Sequence, residues 1–66
     1  MRVRFDQKTD ALYIRFDEAA IIESEEVSPG IVLDLDADNR VVGIEMLNVK
    51  ERLSNASLTQ INFEVA

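Results

Sequence analysis

The chain has 66 residues, neither cysteine nor histidine, and a net charge of −6 from 13 acidic and 7 basic side chains. One domain of this length, residues 1–66, buries only about 60% of the surface its unfolded chain exposes, and with disulfides and ordinary zinc sites excluded, self-association is the remaining common staple. The acidic balance argues against nucleic acid as a partner, the 47% hydrophobic content against a disordered tail, and the lack of a span-length apolar run or a signal-like N-terminus against a membrane or secretory route, so a cytoplasmic location is expected.

Arg2-Val3-Arg4-Phe5-Asp6 alternates strictly, which predicts a half-buried strand with Val3 and Phe5 inward. Gln7–Asp10 reads as a turn, and Ala11–Phe16 as the hairpin partner, with Leu12, Ile14 and Phe16 inward and Tyr13 and Arg15 outward. Arg2, Arg4 and Arg15 would gather a small basic area, for which ordinary solvent-face charge is the better reading. A third strand is expected over 21–27, with Ile22 inward and Glu23, Glu25 and Glu26 marking an exposed edge where charge discourages stray pairing. Ser28-Pro29-Gly30 has the residues of a type II turn, since Pro presets φ and Gly accepts φ above zero.

The stretch Gly30–Leu47 is the most ordered in pattern. Ile31, Leu33 and Leu35 alternate with Val32, Asp34 and Asp36; Asp38-Asn39 interrupts; Val42, Ile44 and Met46 resume. That is a β-hairpin with its tip at Asp38-Asn39, and Gly43 in mid-strand signals a bulge or the close approach of another backbone. Asn48 reads as an N-cap, with Glu51 at capping-box spacing, for a helix of about two turns that buries Leu53. The tail fits either a helical stripe (Leu58, Ile61, Val65) or a strand (Ile61, Phe63, Val65), and the β-prone residues favour a strand with Ile61 and Phe63 inward. The fold class expected is mostly β (α+β): a small antiparallel β-meander of about five to six strands with one short helix.

Chemistry is thinly signalled. Asp34-x-Asp36-x-Asp38 with Glu45 in twelfth place overlays the acidic spacing of an EF-hand, but Asn39 stands where that loop needs Gly, and strands replace the flanking helices. Solvated carboxylates are the better reading, and no metal or cofactor is expected. Asp34, Asp36 and Glu45 could be assembled into an acid/base pair only around a pocket that a chain this small has little material to form. The serines have no histidine to activate them. Tyr13, Arg15, Glu45 and Asn48 are the candidate partner-contact residues, Tyr13 and Arg15 because these types anchor interfaces. Tyr13, Val32, Val41 and Ile21 on outer faces would form an apolar patch that a monomer rarely exposes, which points to a homodimer.

Three blocks carry a resemblance: Asp10–Phe16; Glu25–Val27 with Gly30–Asp34; and Val42–Asn48. Together they resemble the bacterial proteins grouped as domain of unknown function 2283, over nearly the whole chain up to Leu53. The departures are Val49, where small residues often follow the Asn, and the tail. The resemblance supplies no catalytic residues; it implies a short stand-alone protein and an antitoxin-like partnership with a small basic toxin. The function expected is therefore a non-enzymatic protein-interaction module acting as a homodimer. The alternatives are a self-assembling structural or regulatory protein, or a weak metal-binding or enzymatic domain using Asp34, Asp36 and Glu45.

Overall fold

Period-two alternation becomes five strands in the computed structural model, which describes residues 1–66: β1 (Arg2–Asp6), β2 (Ala11–Arg15), β3 (Glu23–Ser28), β4 (Ile31–Leu35) and β5 (Val41–Leu47), followed by one short helix, α1 (Val49–Arg52). All five join one antiparallel sheet in the order β1-β2-β5-β4-β3. Each hairpin expected from the pattern forms, but the sheet is not a plain meander. The connection over residues 16–22 carries the chain from β2 past β5 and β4 to the far edge, so that β2 lies beside β5, a Greek-key arrangement.

The registers sort the side chains onto two faces. Val3 opposite Ile14, Phe5 opposite Leu12, and Ile31 and Leu33 opposite Met46 and Ile44 build an apolar face. Arg4 opposite Tyr13, Tyr13 opposite Glu45, and Asp34 opposite Gly43 build a polar one.

Two registers shift. On β3 the shift falls between Glu26 and Ser28, leaving Val27 exposed, and on the β4–β5 pair it falls at Asp34/Leu35, leaving Val42 as the extra residue beside Gly43. Val42 is 3% exposed, so this bulge turns an apolar side chain into the small core instead of away from it.

Turn chemistry explains the joints. The Asp6 carboxylate accepts from the N–H of Lys8 (3.0 Å) and Thr9 (3.4 Å), closing the β1–β2 turn. Gly30 has φ +79, as a type II turn requires, and a Cβ there would fall 2.5 Å from Arg52 Nη2. Arg52 donates from Nε to the Leu47 carbonyl (2.8 Å) and from Nη2 to the Pro29 carbonyl, latching α1 to the β3–β4 turn.

Several expectations are corrected. The third strand begins at Glu23 instead of Ile21, and Ile22, expected inward, is 66% exposed, although its N–H still reaches the Leu35 carbonyl (2.9 Å). Asn48 does not cap α1. It adopts the left-handed conformation (φ 56) to swing the chain out of β5, which takes its side chain out of capping position. The cap comes from Asp10, whose carboxylate oxygens accept from the Lys50 N–H at 3.2 Å each, while its carbonyl accepts from Val49 N–H at 3.2 Å. The helix is four residues long, not two turns. The tail forms no strand. Residues 53–61 lie across the apolar face at its β1–β2 end, where they line a groove instead of extending an edge. Val3, Phe16, Leu53, Ile61 and Phe63, all expected inward, are exposed, because the sheet has no second layer to cover them.

Candidate functional site

The polar face carries a hydrogen-bonded chain that spans the sheet. Tyr13 on β2 reaches over Gly43 on β5 and donates its hydroxyl proton to Asp34 Oδ2 on β4 at 2.8 Å; Ser24 on β3 donates to Asp34 Oδ1 at 2.6 Å. Gly43 makes room for this, since a Cβ there would stand 2.8 Å from the Tyr13 hydroxyl oxygen and 3.2 Å from Asp34 Oδ2. Arg15 Nη1 donates to the same hydroxyl oxygen at 3.4 Å, its Nε donates to the Asp17 carbonyl at 2.5 Å, and its Nη2 to the Ala19 carbonyl. Arg15 thus pins the β2–β3 crossover against the sheet, and the Tyr13 hydroxyl beside it raises its proton affinity further above the ordinary arginine value. No buried polar side-chain atom is left without a partner.

Arg15 and Asp34 are each 9% exposed, and Asp36 is 8% exposed, which corrects the expectation of solvated carboxylates on this side. Asp36 organises the β4–β5 tip: Oδ1 accepts from the N–H of Asp38 and Arg40 (2.9 Å each), and Oδ2 accepts from Arg40 Nε (3.0 Å). These bonds, led by the Arg40 N–H, hold its pKa below the usual aspartate value. Glu18, paired with Arg2 at 2.9 Å, is likewise lowered, chiefly by that hydrogen bond. The residues considered for acid/base or metal chemistry are therefore drawn apart. Asp34 faces Tyr13 and Ser24, Asp36 faces its own turn, Glu45 stands half-buried opposite Tyr13, and no group of three or more metal-ligating side chains forms.

Of the partner-contact candidates, Tyr13 and Glu45 share the polar face and are half-buried, Arg15 is almost enclosed, and Asn48 stands exposed at the start of α1. Residue-by-residue reading missed the larger feature, which is the opposite face. Val3, Phe5, Leu12, Ile14, Ile31, Leu33, Ile44 and Met46 form it, and none is buried. Only 8 of 66 residues are buried in the chain, too few for a second layer to be hidden within it. At the β1–β2 end, Val3, Phe5, Leu12 and Ile14 and the tail residues Leu53, Ala56, Leu58 and Ile61 wall a groove of about 370 Å³. The signal was present in the alternation, but alternation says which side chains share a face and not whether anything covers it.

A single antiparallel sheet, tied on one face by a polar chain and open on the other, is the class this geometry defines. The chain belongs to a family described as protein of unknown function (DUF2283), whose model matches residues 2–50. The match takes in all five strands, the Tyr13–Asp34–Ser24 chain with Gly43, and the Asp10 cap, and stops short of the tail. No curated protein and no solved structure matches the chain. No helix is long and apolar enough to cross a membrane.

Proposed function

We propose that this chain is a non-enzymatic, cytoplasmic protein-interaction module that acts as a homodimer, two copies packing their apolar faces together. The observation that carries this reading is the half-buried apolar layer of Leu33, Ile44 and Met46, which lies outside the groove that the tail lines. A hydrophobic sheet face needs a second layer about 10 Å away, and a second copy of the same face supplies one. On the polar face Tyr13, Arg15, Asp34 and Ser24 are already hydrogen-bonded to one another, which supports a structural role over a catalytic one.

A basic partner is the complement to the dimer in this reading. The outer edge of β3 is unpaired, and Glu23, Glu25 and Glu26 are exposed along it, within a chain of net charge −6. An antitoxin-like hold on a small basic protein would use that edge.

The test is mass in solution. Sedimentation should give twice the 7.5 kDa chain, and Ile44→Asp, at a half-buried position of the apolar face, should give a monomer that keeps its strand circular dichroism. A wild-type chain that remains monomeric at all concentrations tested would overturn the proposal.

A further inference from the structure

The end of the tail, from the last groove residue Ile61 onward, is the least explained part of the molecule. Ile61, Phe63 and Val65 are 69%, 69% and 84% exposed, a concentration of bare apolar surface in five residues. They alternate with Asn62 and Glu64 as a strand would, yet no backbone hydrogen bond joins residues 57–66 to any strand. A strand-forming segment without a partner in its own chain needs one elsewhere.

We propose that residues Ile61–Val65 are an exchange arm that pairs as a sixth strand along the free edge of β1 in a second copy. The inference rests on the homodimer proposed above and assigns its contact. Length fits, because the five-residue arm matches the five-residue β1. Facing fits too: if Ile61, Phe63 and Val65 continue the apolar layer beyond Val3 and Phe5, Asn62 and Glu64 fall on the other face, beside Arg2 and Arg4. Arg4 has no ion pair within its own chain, and the Glu64 carboxylate accepts only from Asn62, so each has a charge to offer the other.

Charge also chooses between the two free edges. β3 presents Glu23, Glu25 and Glu26 and would repel Glu64, whereas β1 presents arginines. Burying the arm's three exposed apolar side chains also enlarges the contact beyond what the two sheet faces supply.

The absence of cysteine makes the test clean. Arg4→Cys and Glu64→Cys chains are purified separately, mixed and oxidised, with Glu26→Cys as the control for the other edge. The expected result is a disulfide-linked pair containing one Arg4→Cys and one Glu64→Cys chain, and little linkage of Glu64→Cys to Glu26→Cys. In parallel, Phe63→Glu should weaken the dimer by on the order of tenfold or more. Linkage only within one chain, in a protein carrying both Arg4→Cys and Glu64→Cys, would overturn the arm, as would preferred linkage to the β3 edge. Sedimentation separates the two proposals: a monomeric wild type removes the dimer and the arm together, whereas a dimer that tolerates Phe63→Glu and gives no mixed disulfide removes the arm alone.

Discussion

Gly43 and Tyr13 show how one position can serve two constraints. The residue between Tyr13 and Asp34 must lack a Cβ because the tyrosine hydroxyl crosses directly over it, 2.8 Å from where that atom would be. Glycine costs about 0.5–1 kcal/mol of chain entropy within a strand relative to alanine, so its presence here is explained by the crossing. Tyr13→Phe should cost about 1–2 kcal/mol, the usual loss when a part-buried hydrogen bond to a carboxylate is removed. Gly43→Ala should cost more, because the new methyl displaces the hydroxyl from Asp34. In the Tyr13→Phe background the alanine has no hydroxyl to displace, so its effect should shrink. Urea unfolding of the four proteins measures the coupling, expected on the order of 1 kcal/mol, and strictly additive effects would show that the crossing does not matter energetically. The sequence signalled Gly43 as a bulge or the close approach of another backbone; the bulge is present beside it, but what approaches is the Tyr13 side chain and not a backbone. It did not signal Asp34 as the acceptor for Tyr13, because the two are 21 positions apart and meet only once β5 is laid between β2 and β4.

At the scale of the element, local alternation was enough to locate four strands to within a residue or so, and the type II turn was legible in Pro29-Gly30. The third strand and the helix were less legible for a common reason: both depend on distant partners. β3 starts where β4 can pair with it, and α1 is capped by Asp10, 40 positions from Lys50. The β4–β5 tip is the opposite case, held by a carboxylate only four residues from its farthest donor. That carboxylate makes an acid-sensitive joint. The folded chain binds a proton at Asp36 less readily than the unfolded chain does, so the joint stabilises fully above the ordinary aspartate value of about 3.9. Below it, the unfolded chain takes up the proton first, and the contribution is lost as pH falls through the lowered folded value. Glu18 acts in the same direction through Arg2. Asp36→Asn should therefore be less stable at neutral pH, since it loses the Arg40 pair, and should lose less stability on acidification. Chemical denaturation at a series of pH values compares the two slopes, and parallel curves would assign the acid sensitivity elsewhere.

For the whole molecule, neither the strand order nor the missing second layer can be read from period-two patterning, which is silent on which hairpins become neighbours. The crossover that takes the chain from β2 to β3, and so leaves β2 beside β5, is held by the carbonyls of Asp17 and Ala19 accepting from Arg15. Once the sheet is assembled, its two faces have unequal needs. The polar face leaves no buried polar side-chain atom without a partner, and the apolar face cannot cover itself in the same way, since a five-stranded layer has nothing of its own to fold over more than one end. Folding and association should then be linked: whatever binds the folded copy and not the unfolded one raises the melting temperature with its concentration. Each tenfold rise in protein concentration adds about 1.4 kcal/mol per mole of dimer to its apparent stability against unfolded chains, which for two domains of this size corresponds to several degrees. Thermal melts over two or three decades of concentration should move upward together with the dimer fraction seen by sedimentation. A melting temperature independent of concentration would mean that this thin layer is stable as a single copy, and the reason for leaving its apolar side uncovered would have to be sought in a different partner.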